Sequence, residues 1–415
     1  MTIIFWAIVA ILVFDFVLER TLDYLNTTRW SEQVPDELRG IYDEEKYRKQ
    51  QAYSKTNHRF GMLTGTFSFI LILGMLFFGG FALVNSWALA VSTNPVVSAL
   101  VFFGVLLLAS DILATPFDLY STFVIEEKFG FNKTTPKTYI LDKLKGWLLG
   151  ALIGGGLMAL IIWIYNKTGQ HFWLWVWLVV SAFSIFMAMF YSSLIVPLFN
   201  KQTPLHEGEL KTAINAFASK VGFKLDNIFV IDGSKRSSKA NAYFSGLGSK
   251  KRIVLYDTLI SDMETPELVA VLAHEIGHYK KKHIIWSLVL GILQTGIMLF
   301  VFSLVIDSPE LSQALGVDKA YFHLGLITFG ILYSPLSSVM GIGMNVFSRK
   351  NEYEADSFAA KNFDTEALAT ALKKLSVNNL SNLRPHPAYV FVHYSHPTLL
   401  QRLKALNKTS QAHTI

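Results

Sequence analysis

The sequence predicts a mainly α-helical, polytopic membrane protein: seven apolar spans, with polar segments large enough to fold as a domain on one side. Three observations predict it. The 415 residues are 52% hydrophobic and only 16% charged, whereas an ordinary soluble domain carries about a quarter charged residues; the mean hydropathy is +0.37. Apolar stretches long enough to cross roughly 30 Å of hydrocarbon fall at about 2–19, 62–85, 96–116, 146–166, 172–198, 284–306 and 323–347. The basic residues, finally, alternate from one connection to the next.

The first span lacks a basic leading region and an A-x-A-like cleavage site, and reads as a retained anchor. Segment 20–61 carries Arg20, Arg29, Arg39, Lys46, Arg48, Lys49, Lys55 and Arg59, and 117–145 carries Lys128, Lys133, Lys137, Lys143 and Lys145. By contrast 86–95 has none, 167–171 only Lys167 and 307–322 only Lys319. All but these two of the 37 Lys and Arg residues therefore lie in alternate loops or the C-terminal tail. The positive-inside rule places that side in the cytoplasm, with the N-terminus outside and the C-terminus inside. The net charge of +6 follows from this distribution and does not imply nucleic acid as a partner. There is no cysteine, which excludes disulfides, thiolate metal sites and a cysteine nucleophile, and leaves His, Asp and Glu as metal ligands. Together with the lack of an obvious ER-retrieval tail, this leans toward a bacterial inner membrane, with the endoplasmic reticulum as the alternative.

Residues 199–283 and 348–415 are too long and polar to be simple loops. Leu210, Ile214, Phe217 and Val221 are spaced for one helix face. Asn227-Ile-Phe-Val-Ile-Asp232, Asn241-Ala-Tyr-Phe-Ser-Gly246 and Arg252-Ile-Val-Leu-Tyr-Asp257 read as strands of a small sheet, and the last could pair with an extended substrate. A helix then starts near Thr265-Pro266-Glu267, with Pro and an acid in its first turn, and ends at Lys280-Lys281-Lys282.

That helix carries His274, Glu275 and His278 as HExxH. Positions i and i+4 share a face, so both imidazoles can reach one Zn²⁺. Zinc lowers the pKa of a bound water toward 7, and Glu275 can take the water's proton as general base. The bland alternative, a helix surface with two exposed histidines, fits poorly with apolar Val271, Leu272 and Ile276 in the flanks.

A catalytic zinc normally takes three protein ligands. The third is expected to be Glu352, directly after the last span. Asp356 shares its face one turn on and could orient a ligand imidazole through its other nitrogen. From spacing alone a merely charged juxtamembrane helix fits equally well. Glu354 points elsewhere on that helix and reads as solvated. His283, five residues past His278, reads as off the ligand face. His323, His386 and His393 read as packing or surface groups. Asp111, Gln294 and Asn345, inside spans, either line a water-filled chamber or bond helix to helix. Gly146, Gly150 and Gly154, four apart, read as a close-packing face.

The chain resembles the integral-membrane zinc metalloproteases of the type I CAAX prenyl protease family. The resemblance rests on Asp232-Gly-Ser-Lys-Arg-Ser-Ser-Lys-Ala-Asn-Ala-Tyr-Phe244, HEIGH at 274–278, the SRxxExxAD-like stretch 348–356 and Ser395-His-Pro-Thr-Leu-Leu-Gln-Arg402. It covers nearly the whole chain. It implies seven tilted helices enclosing a chamber, capped on the cytoplasmic side by the zinc domain. It also implies that Asn241, His396 and Arg402 face the substrate or its developing oxyanion.

The chain then divides into 1–198 (spans one to five, with cytoplasmic loops 20–61 and 117–145), 199–283 (the HExxH segment), 284–347 (spans six and seven) and 348–415 (the third-ligand segment). The expected activity is zinc-dependent endoproteolysis with one Zn²⁺ per chain, of prenylated CAAX tails or in membrane-protein quality control. The substrate is a peptide or protein at the membrane, lipid-modified in the first case. The rival is a non-enzymatic seven-span receptor or transporter, which would need neither HExxH nor a phased Glu352.

Overall fold

The structure is a computed structural model and describes residues 1–31, 33–224 and 227–411. Helices dominate. Five helical stretches among the described residues are long and apolar enough to cross a membrane: Glu44–Phe77, Pro95–Glu126, Pro136–Leu198, His283–Ser303 and Phe322–Asn362. Large apolar side chains such as Leu107, Leu152 and Trp163 lie on their outer faces, as lipid contact requires.

The third stretch has 63 residues, which would extend about 95 Å if straight, three times the hydrocarbon thickness. It doubles back instead. Helix Gly156–Thr168 stops at Gly169, whose φ of +53° suits glycine, and Phe172–Leu194 packs against it. The first expected span forms as helix Ile3–Thr27, with the Thr2 hydroxyl accepting from the Phe5 N–H. Asp15 and Glu19 make it the least uniformly apolar of the expected spans, and Asp15 accepts a hydrogen bond from Ser334 at 3.2 Å. The second expected span is broken at Gly79 (φ +68°) and continues as the short helix Gly80–Val91.

One reading of the spans is corrected, and for Asp111 and Asn345 the helix-to-helix alternative is met. Gly146, Gly150 and Gly154 do not form a close-packing face: a methyl group added at any of them meets nothing within 4 Å. Gly150–Gly155 is instead a π-helical turn, which shifts the helix phase and breaks the four-residue register. Asp111 and Asn345 are bonded between helices. Asp111 takes the Trp147 indole N–H at 2.9 Å and the Lys143 ammonium at 3.1 Å, and Asn345 donates to the Val392 carbonyl at 2.7 Å.

The helix Phe322–Asn362 organises the molecule. Its 41 residues extend about 60 Å, twice what a span needs. Its C-terminal part enters the polar domain carrying Glu352 and Asp356. Pro335 removes the N–H that would serve the Ile331 carbonyl, and the Ser334 hydroxyl donates to that carbonyl at 2.9 Å.

The sheet has four strands in the order β1-β2-β4-β3: β1 Gln202–Pro204, β2 Ile228–Ile231, β3 Ala242–Ser245 and β4 Arg252–Tyr256. β1 is antiparallel to β2, β2 parallel to β4, and β3 antiparallel to β4. The three expected strands fall within about a residue of their places. The fourth, β1, is short, polar and ends in Pro, as an edge strand can. The expectation that the 252–257 strand pairs with substrate is overturned, because β4 is central and both of its edges are taken; the free edge beside the motif helix is β3. The domain core gathers Ile214 and Phe217 of helix Glu209–Lys220, Ile253 and Leu255 of β4, Leu268–Ala273 of the motif helix and Leu368 of helix Thr365–Asn378.

Candidate active site

The motif helix Thr265–Lys280 is buried on nearly every face between the sheet domain and helices Phe322–Asn362 and Thr365–Asn378, so its side chains are held without freedom to reorient. Its start is fixed by Glu264, whose backbone N–H donates to the Glu267 carboxylate at 2.8 Å in a capping box. Glu267 is further held by Lys374 at 2.7 Å. At the other end, Gly277 allows a close approach between motif helix and long helix. A methyl group there would lie 3.1 Å from Ala355 Cα and 3.2 Å from its carbonyl oxygen, tighter than ordinary contact. This glycine sets Ala355, and with it Glu352 and Asp356, against the two histidines.

Those groups converge. His274 Nε2 lies 3.1 Å from His278 Nε2 and 3.4 Å from Glu352 Oε2, and His278 Nε2 lies 3.3 Å from Glu352 Oε1. The two imidazoles thus face different oxygens of Glu352, and one donor atom from each residue lies within 4.8 Å of the other two, a cluster of the size and donor type that holds one zinc ion. Glu352 Oε2 is buried with no hydrogen bond of its own, an arrangement that a buried carboxylate tolerates only beside a cation. Burial opposes a charge on His274, yet the carboxylates of Asp356 and Glu352 beside it outweigh this and hold the imidazole pKa up, to about 9. The same negative field favours any cation placed among the three.

The remaining expected residues also gather here. Asp356 Oδ1 is 2.9 Å from His274 Nδ1, the contact proposed from the i, i+4 spacing. Asn241 immediately precedes β3, and its side-chain oxygen accepts from the Ala242 N–H at 2.8 Å, which leaves the amide NH₂ to donate elsewhere. His396 is mostly exposed, with Nε2 3.3 Å from Glu352 Oε1 and Nδ1 2.9 Å from Ser395 Oγ. Arg402 is nearly buried and forks onto Asp356, with one nitrogen 3.8 Å from Glu352 and another 3.4 Å from His274 Nδ1; its direct partners therefore belong to the site. Glu275 lines the same cleft of about 360 Å³, together with residues of β3 and the apolar Val271, Ile284, Leu368, Leu372 and Leu375.

Two groups set aside in the sequence are in contact with the site. His278 Nδ1 is 3.0 Å from His283 Nδ1, and His283 Nε2 is 3.2 Å from Glu354 Oε2. His283 is thus not off the ligand cluster, and Glu354 is not simply solvated. Along one continuous helix, five residues would rotate His283 about 140° away from His278; the helix instead ends at Lys281–Lys282 and a new one starts at His283. Nothing in the periodicity marks that break beyond the run of three lysines. The apolar wall of Leu368, Leu372 and Leu375 was also missed, although its i, i+4, i+7 spacing is readable as a helix face.

Spans, a zinc-shaped donor triangle and a glutamate beside it define a class: a polytopic membrane metalloendopeptidase. Residues 23–201 match the family profile described as CAAX prenyl protease N-terminal, five membrane helices, and residues 204–410 match peptidase family M48. The chain belongs to peptidase family M48, in the branch of the CAAX prenyl proteases. It is 37% identical to the CAAX prenyl protease 1 homolog of Arabidopsis thaliana over 96% of each chain. To CAAX prenyl protease 1 of Saccharomyces cerevisiae it is 35% identical, over 96% of this chain and 94% of that one. The crystal structure of S. mikatae Ste24p superimposes with a TM-score of 0.93 at 35% identity, covering 98% of this chain and all of that one. Such likeness along the whole length disfavours the receptor or transporter reading.

Proposed function

We propose that the chain cleaves prenylated CAAX-type tails at a membrane surface, with zinc held by His274, His278 and Glu352. The observation that carries the reading is the convergence of His274, His278 and Glu352, one donor atom from each within 4.8 Å of the others, beside a cleft lined in part by apolar side chains. When bound, zinc supplies Lewis acidity that acidifies water and polarises the scissile carbonyl. Glu275 takes the proton from the attacking water and returns it to the leaving amine. Asn241, through its amide NH₂, and His396 donate to the developing oxyanion. Asp356 fixes the His274 tautomer, and Arg402 holds Asp356 in place while placing positive charge near the site.

An extended peptide adds to the free edge of β3, beside Asn241, and main-chain pairing there sets its direction. The wall of Val271, Ile284 and three leucines accepts aliphatic side chains. That wall suits the aliphatic positions of a CAAX tail, and the named relatives, which are CAAX prenyl proteases, support the same substrate class.

For the membrane part we infer seven spans around a chamber, N-terminus outside and C-terminus cytoplasmic. The family description supports five membrane helices in the N-terminal part, to which His283–Ser303 and Phe322–Asn362 add two. The division at 198/199, 283/284 and 347/348 follows from the same reading. The relatives named above are eukaryotic, so the lean toward a bacterial membrane gains no support from them.

The test is cleavage by the purified chain of matched tail peptides with and without a farnesyl group. Faster cleavage of the farnesylated peptide, lost with chelator and regained with Zn²⁺, is expected. Equal cleavage of both would redirect the reading to general membrane-protein turnover.

A further inference from the structure

Each imidazole of the donor triangle has a second nitrogen, and the two are held differently. His274 Nδ1 meets Asp356 directly at 2.9 Å. His278 Nδ1 meets a carboxylate only through another ring, His283, at 3.0 Å and then 3.2 Å to Glu354. An ionised carboxylate accepts and cannot donate. Glu354 therefore requires the proton on His283 Nε2. That leaves a lone pair on His283 Nδ1, which requires the proton on His278 Nδ1, and His278 Nε2 is then bare toward Glu352 and His274. One acid orders both rings.

The backbone is bent to make this contact. Lys282, immediately before His283, has φ +61°, a left-handed conformation that costs a side-chain-bearing residue energy. Among the described residues Leu380 is the only other non-glycine with positive φ. Strain of this kind persists where the surroundings impose it, often beside functional sites. Here it ends the motif helix, starts helix His283–Ser303 and returns His283, which is buried, onto His278.

We propose that His283 and Glu354 are positioning residues that lock His278 in its metal-binding tautomer, the counterpart on this ligand of Asp356 on His274. The proposal rests on the reading of His278 as a ligand. Through it, the first residue of a membrane helix bears directly on the metal centre.

The experiment measures zinc affinity of the full-length chain in detergent by chelator competition, and thermal midpoints with excess chelator. The variants are His278→Ala, His283→Ala, His283→Asn, Glu354→Ala and the double variant His283→Ala with Glu354→Ala. His283→Ala and Glu354→Ala are each expected to weaken zinc roughly 10–100-fold, as losses behind a ligand do. His283→Asn should recover most of that, because its amide oxygen can accept from His278 Nδ1–H. The double variant should be no weaker than His283→Ala alone, since Glu354 acts through His283. The chelated midpoints should hardly move; a purely structural role would lower them and spare the affinity. Wild-type affinity in Glu354→Ala, or additive losses in the double variant, overturns the proposal. Glu354 is half-exposed, so its variant remains informative if His283→Ala fails to fold. Undiminished zinc in His278→Ala would overturn the ligand reading instead.

Discussion

The guanidinium of Arg402 grips Asp356 at two points, Nε to Oδ2 at 2.8 Å and a terminal nitrogen to Oδ1 at 2.6 Å, and that same Oδ1 lies 2.9 Å from His274 Nδ1. The fork sets the carboxylate plane, and the carboxylate sets the ring. Arg402→Ala is therefore expected to lower both stability and metal affinity. It strands Asp356, which is 2% exposed, without its counter-charge, a loss of about 3–5 kcal/mol for a buried pair. Arg402→Lys should recover little, because an ammonium cannot engage both oxygens in one plane. Thermal unfolding together with chelator competition checks both variants.

The donor triangle makes a graded expectation for metal content. Glu352→Ala removes one of the three proposed ligands and is expected to abolish tight zinc binding. Asp356→Ala leaves all three and should weaken affinity by roughly 10–100-fold. Mass spectrometry of the purified variants decides it, and full zinc in Glu352→Ala would mean that the third ligand lies elsewhere.

Much of this site was legible because its residues follow simple periods. His274 and His278 are one helical turn apart, as are Glu352 and Asp356, and each pair falls on one face wherever the helix is placed. The five long apolar helical stretches were legible because lipid demands long apolar runs. What the sequence hid depends on breaks and on tertiary order. The contact of His283 with His278 requires a helix to end at Lys282 in a left-handed turn that no local preference announces. The central place of β4 depends on β3 folding back across it, which strand propensity does not encode. The stretch 146–154 has the spacing of a packing face, yet a π-turn shifts its phase.

Asn241 and His396 are assigned to the oxyanion and not to the metal. Asn241→Ala and His396→Ala are each expected to lower kcat by roughly 10²–10³-fold, with zinc near one per chain. Steady-state kinetics beside metal analysis separates the two effects; zinc loss preceding activity loss would reassign the residue to the metal.

Gly277 is expected to tolerate no side chain. A methyl group at Gly277 would lie 3.1 Å from Ala355 Cα, so Gly277→Ala is expected to shift the long helix by a few tenths of an ångström, at a cost of about 1–3 kcal/mol for overpacking. Because Glu352 moves with Ala355, zinc affinity should fall as well. A lower thermal midpoint with unchanged affinity would mean that the helix contact does not set the ligand position.

The central claim is that Glu275 moves the proton at a metal held by its neighbours. The most direct measurement compares zinc content and peptide cleavage in the wild-type chain and in Glu275→Gln, which keeps the shape and removes the basicity. The expected result is one zinc per chain in both, with cleavage in the variant lower by at least roughly 10²–10⁴-fold, the scale of general-base loss. Near-wild-type cleavage by zinc-loaded Glu275→Gln would contradict the account.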